Sequence, residues 1–186
     1  MNFSAVLLAG GESRRMGQDK AALVFEGEPL WRRQLQLLRQ LAPEEIFVSA
    51  RSDPEWRPQD IKLVLDKPPP QGPMSGIYAA LSTMSNSHLI VLAVDMPFLL
   101  KDDLQNLVSH AGEACGVVPV THEHYEPLAA VYPRDAMKEL VAALSSNDRS
   151  LQRLLERLVG LKMMKFVRVS QIDVARYRSV NTPADL

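Results

Sequence analysis

The chain has 186 residues, of which 46% are hydrophobic and 23% charged, with a formal net charge of -1 at neutral pH. This length suits one hydrophobic core, and the near-neutral balance offers no electrostatic footprint for DNA or RNA; no run approaches the roughly 18 apolar residues of a membrane span. The one cysteine, Cys115, excludes an internal disulfide and reads as core packing rather than a nucleophile, which together with the lack of a basic leader is compatible with a cytoplasmic protein.

Taken in chain order, the apolar run Phe3 to Leu8 is too short for a helix and ends in glycines, which predicts a buried strand feeding a loop. A brief strand is expected around Leu23 to Phe25. Trp31, Leu35, Leu38 and Ala42 then recur at helical spacing, with Arg32, Arg33 and Arg39 outside, predicting a helix over 30–41 that Pro43 ends. Strands are expected over 45–49 and 61–65, separated by a polar loop. The prolines at 68–70 favour an extended backbone, and Gly72-Pro73-Met74-Ser75-Gly76 opens a helix carrying Ile77, Ala80, Leu81 and Met84. The nearly continuous apolar run 89–94 reads as a central parallel strand covered on both faces.

A helix over 102–110 follows, then a strand over 115–120, a polar loop over 121–126, a strand running back over 128–132 and a helix over 134–144. Asn147 or Asp148 is expected to cap the next helix, whose stripe is Leu151, Leu154, Leu155 and Leu158 and whose end is marked by Gly160. A last strand covers 164–169, and Thr182-Pro183 is suited to starting one more helix. Strands alternating with helices predict a single α/β domain over 1–186, three layers deep, with an open and mostly parallel sheet. In such sheets ligands bind beyond the carboxyl ends of the strands. Gly10 after Leu8, Asp66 after Leu65 and Asp95 after Val94 all fall there.

The residues at those strand ends point to phosphate chemistry. Gly10 and Gly11 lack Cβ atoms, so their N–H groups can approach phosphate oxygens. Arg14, Arg15 and Lys20 add positive charge around the same loop. Neither G-x-G-x-x-G nor the P-loop fits this spacing. Asp95 ends the most apolar strand at a turn, where a carboxylate can hold Mg2+ that bridges nucleotide phosphates; the alternative is a turn residue bonding backbone amides before Pro97. With no cation beside it in sequence, its charge is expected to lack a close partner when no metal is bound. His122 and His124 alternate as zinc ligands can, but without a convincing third ligand they read as a solvated loop.

The string Leu7-Leu8-Ala9-Gly10-Gly11-Glu12-Ser13-Arg14-Arg15-Met16-Gly17-Gln18-Asp19-Lys20 resembles the signature of the molybdenum cofactor guanylyltransferase family, a branch of the nucleotidyltransferases. Val94-Asp95-Met96-Pro97 is similar to that family's D-M-P motif, Gly72 to Gly76 to its G-P-L-x-G, Pro127 to Tyr132 to its P-L-x-A-x-Y, and Asn181 to Leu186 to its N-T-P-x-D-L. The resemblance implies a Rossmann-like nucleotidyltransferase fold. It implies an enzyme that transfers GMP from GTP to molybdopterin or the molybdenum cofactor, with Mg2+ as cofactor, releasing pyrophosphate.

GTP would be held by Leu8, Ala9, Gly10, Gly11, Lys20, Asp66 and Asp95; Arg15, Lys20 and Asp95 would be catalytic, and Asp95 would bind the metal. Molybdoenzymes or their chaperones are candidate partners, and Asn181 is a candidate for the metal or the pterin phosphate, or a simple cap. The chain departs from the family where Ser49-Ala50-Arg51 stands in place of a nucleotide-contacting asparagine, and where Ser179 replaces another. Rival readings are a molybdopterin cytidylyltransferase, a sugar-phosphate nucleotidyltransferase and a non-catalytic GTP-binding module; Gly10-Gly11 with Asp19-Lys20 favours the guanine branch.

Overall fold

The computed structural model describes residues 2–10, 19–66, 72–146, 149–180 and 185. In chain order the strands are β1 (Phe3–Leu8), β2 (Val24–Phe25), β3 (Glu28–Pro29), β4 (Glu45–Ala50), β5 (Lys62–Leu65), β6 (His88–Ala93), β7 (Gly116–Thr121), β8 (His124–Tyr125), β9 (Ala129–Pro133) and β10 (Met164–Arg168). The helices are α1 (Leu30–Arg39), α2 (Pro73–Thr83), α3 (Lys101–His110), α4 (Met137–Ser145) and α5 (Leu151–Gly160).

Seven strands lie in the order β10-β7-β9-β6-β1-β4-β5, with β8 folded back on β7, while β2 and β3 form a separate hairpin. β1 pairs in parallel with β4 and β6, β4 with β5, and β10 with β7. β9 runs antiparallel to both β6 and β7, as expected of a strand that turns back. Because side chains alternate across a strand, β1 sends Ala5 and Leu7 into a core shared with α1 and α3, and Val6 and Leu8 into one shared with α2, α4 and α5. Helices on both faces explain why β1 and β6 are buried along their whole lengths. No described helix is long and apolar enough to cross a membrane.

Several boundaries differ from the sequence reading for local reasons. α1 stops at Arg39, and Ala42 adopts a left-handed conformation (φ 52°), so it leaves the helical stripe. The segment after β7 is a hairpin rather than an open loop: His122 and Glu123 take positive φ, and Thr121 pairs with His124. The cap of α5 is Ser150, whose hydroxyl accepts the Arg153 N–H, whereas Asn147 and Asp148 lie outside the described residues. Gly160 stays within α5, and the left-handed residue that follows is Lys162. A 3-10 turn over Val174–Tyr177 carried no sequence signal. The prolines at 68–70 and the segment 181–184 are outside the described residues.

The chain lays β4 and β5 on one side of β1, then returns to set β6 on its other side. This reversal opens a crevice at the carboxyl ends of β1 and β6, the place where open α/β sheets bind ligands.

Candidate active site

Leu8, Ala9 and Gly10 form one lip of the crevice. The Leu8 carbonyl accepts the Val94 N–H at 3.0 Å, and the Ala9 N–H donates to the Ser49 carbonyl at 2.9 Å, so the start of the loop is fixed to both neighbouring strand ends. Gly10 then passes so close to Asp66 that a Cβ built on it would lie 3.0 Å from Asp66 Oδ2, tighter than nearly all real contacts. A side chain here would press on that carboxylate, so glycine suits the approach to Asp66 as well as to any ligand. Asp66 is held in turn by the Ser49 hydroxyl, which donates to Oδ1 at 2.9 Å. Ser49 fits there because residue 76 is glycine: a Cβ at Gly76 would stand 2.3 Å from Ser49 Oγ and 2.9 Å from a Leu8 methyl.

The opposite lip carries Asp95. Lys20 and Asp95 are 75 residues apart in sequence, yet Lys20 Nζ lies 3.3 Å from Asp95 Oδ2, with both side chains about a fifth to a quarter exposed. The expectation that Asp95 lacks a close counter-charge is thus corrected: Lys20 supplies it. The backbone around Asp95 is bound from several directions. Its carbonyl accepts the Val180 N–H at 2.7 Å, Gln34 Nε2 donates to the Met96 carbonyl at 2.6 Å, and Arg33 Nε donates to the Pro97 carbonyl at 2.9 Å. Arg33 is accordingly no outward-facing helix residue, and its guanidinium also lies 4.9 Å from the Phe25 ring centroid.

Lys20 sits in a 3-10 turn (Lys20–Ala22) capped by Asp19, whose Oδ1 accepts the Ala21 N–H at 3.0 Å. The other oxygen of Asp19 accepts the Trp56 indole N–H at 2.9 Å, and Trp56 stacks on Trp31 with ring centroids 5.3 Å apart. Trp56, Asp19, Arg51 and Gly10 share the lining of a cleft of about 150 Å³. Arg51, standing where the resemblance leads one to look for asparagine, is therefore beside the glycine loop.

The structure brings together Leu8, Ala9, Gly10, Lys20, Asp66 and Asp95; Gly11, Arg15 and Asn181 lie outside the described residues. His122 and His124 are exposed on the β7–β8 hairpin, and no cluster of three metal-ligating side chains occurs among the described residues. Sequence reasoning missed Ser49, Trp56, Gln34 and the bracing role of Arg33. All four act through contacts between segments distant in sequence, so no local pattern marks them. Beyond the crevice, burial raises the carboxyl pKa of Glu126 above its ordinary range, with the Thr121 hydroxyl donating to it in partial compensation.

The fold is that of the nucleotidyltransferases. A nucleotidyl transferase from Methanothermobacter thermautotroptrophicus superposes with a TM-score of 0.80 over 99% of this chain and 94% of that one, a likeness of fold at 15% identity. The chain belongs to the MobA-like NTP transferase domain family, which it matches over residues 5–162. It is 34% identical to a probable molybdenum cofactor guanylyltransferase of Opitutus terrae, covering 98% of this chain and 92% of the relative. Molybdopterin-guanine dinucleotide biosynthesis protein A from Archaeoglobus fulgidus matches with a TM-score of 0.77 and 26% identity over 98% of this chain and 94% of that one.

Proposed function

We propose that this protein transfers GMP from GTP to molybdopterin or the molybdenum cofactor, forming the guanine dinucleotide cofactor and pyrophosphate in the cytoplasm. One observation carries the reading: the Lys20–Asp95 pair closes across the crevice from the glycine loop and its Asp66. A cation for phosphate charge and a carboxylate for a metal thus share one mouth. The names of the relatives supply the nucleotide and the acceptor.

The acceptor's terminal phosphate is already anionic at neutral pH, so no side chain needs to abstract a proton. One of its oxygens attacks the α-phosphorus of GTP in line. A new P–O bond forms as the bond from that phosphorus to the β-phosphate oxygen breaks, and its electron pair leaves with pyrophosphate. Gly10 and Gly11 offer amides to the phosphates, Asp66 holds the nucleoside part, and Lys20 with Arg15 stabilises the departing charge.

Asp95 fits a Mg2+ site. Its carboxylate is partly open and uses only Oδ2 on Lys20 among the described residues. A hard cation that keeps several waters suits one carboxylate plus phosphate oxygens. Bound there, the metal would neutralise phosphate charge and orient the α-phosphate. Thermal melts in Mg2+ test the nucleotide choice: GTP is expected to raise the midpoint more than CTP, and equal or greater protection by CTP would remove the guanylyltransferase reading.

A further inference from the structure

We propose that Arg178 is the acceptor's phosphate clamp, a guanidinium that grips the terminal phosphomonoester of the incoming pterin on the side of the crevice away from GTP. This rests on the GMP-transfer reading above. The nucleotide groups Gly10 and Asp66 follow β1 and β5, on the β1-β4-β5 half of the sheet. An attacking phosphate must reach the α-phosphorus from the far side of the leaving pyrophosphate. The opposite flank of the crevice is built from the loop after β6, Asp95 to Phe98, and from the segment returning past β10.

That returning segment is tied to the metal loop where the Val180 N–H meets the Asp95 carbonyl at 2.7 Å. Two residues earlier, the Arg178 guanidinium carbon lies 3.9 Å from the centroid of the Phe98 ring. Phe98 is itself held edge-on by Phe25, with centroids 5.1 Å apart. Stacking on an aromatic face fixes the plane of a guanidinium and leaves its N–H edge free to bind a phosphate in bidentate fashion.

The charges around it set Arg178 apart. Lys20 is paired with Asp95, Arg33 with Glu26, and Arg176 with both Asp103 and Asp173. Arg178 is exposed and makes neither hydrogen bond nor ion pair among the described residues, resting on the Phe98 ring alone. Exposed Arg32 and Arg168 also rest on rings, but only Arg178 of the three does so beside the Asp95 loop, where a guanidinium already seated on Phe98 is partly preorganised to receive a phosphate.

The test is steady-state kinetics of GMP transfer to molybdopterin by wild type, Arg178→Ala, Arg178→Lys and Phe98→Leu, with melts of each protein. Arg178→Ala is expected to raise KM for molybdopterin about tenfold or more, the loss of one charge-assisted phosphate contact. The GTP KM should stay within about twofold and the melting midpoint nearly unchanged. Arg178→Lys should recover only part of the loss, since it keeps charge without the fork, and Phe98→Leu should show a smaller rise in the same constant. An unchanged molybdopterin KM in Arg178→Ala, or equal rises for both substrates, overturns the assignment. If wild type transfers no GMP to molybdopterin, the underlying reading fails and the proposal falls with it, a result distinct from a normal Arg178→Ala enzyme.

Discussion

At Gly10, two demands meet on one backbone position: the chain must pass Asp66 closely and leave amides facing a ligand. Gly10→Ala places a methyl 3.0 Å from Asp66 Oδ2, so the carboxylate must shift, and GTP is expected to bind several-fold more weakly while the fold persists; titration of GTP against the variant checks this. Lys20→Ala is expected to lower turnover by about 30- to 1000-fold, corresponding to roughly 2 to 4 kcal/mol of transition-state stabilisation. Near-normal turnover in a folded Lys20→Ala protein would contradict its role. For Asp95→Asn, pyrophosphate release in Mg2+ should vanish. Its metal-free melt should move only modestly, because Asn keeps the shape and an oxygen acceptor for Lys20, and the pair retains about a fifth to a quarter of its side-chain surface in water. An active but clearly destabilised Asp95→Asn protein would mark a turn residue instead. Gly10, Lys20, Asp66 and Asp95 were legible because each follows or adjoins an apolar run in a recognisable string. Ser49 was not, since a serine at a strand end carries no signal until Asp66 and Gly76 are seen on either side of it.

The elements position these residues through contacts that cross long stretches of sequence. α1 looked like an ordinary amphipathic helix with arginines outward, yet Gln34 and Arg33 hold the backbone of the Asp95 loop from it. The 51–60 segment looked like a polar loop, yet Trp56 reaches Asp19 and so touches the turn that presents Lys20. Helix periodicity reports which face is buried, but not which polar atoms meet across the fold.

The far end of the sheet shows the same kind of bracing. Burial pushes the Glu45 carboxyl pKa up, but the Ser85 amide, Lys62 and the Ser4 hydroxyl together outweigh it, leaving the pKa at about 2 instead of 4.5. A depressed carboxyl pKa stabilises the fold above the unfolded value, and that contribution is lost as pH falls from about 4.5 towards 2. Denaturant titrations across this window should show stability falling less steeply in Glu45→Gln than in wild type; parallel slopes would remove Glu45 from the acid response.

Across the whole molecule, function follows from one topological reversal. β1 carries the glycine loop, β6 carries Asp95, and their parallel pairing sets both carboxyl ends at the same edge. Alternating apolar runs made the three-layer arrangement and the returning β9 legible in the sequence. The strand order was not, because pairing partners depend on packing over the entire sheet rather than on any one run. On the proposed function, this edge joins GMP to a pterin phosphate. The most direct measurement of that transfer is pyrophosphate release by the purified protein in Mg2+ with molybdopterin and each of GTP, CTP, ATP and UTP in turn. Release with GTP, dependent on molybdopterin and matched by guanine dinucleotide product, is the expected result; release with CTP in preference to GTP, or no release with any of the four, would contradict it.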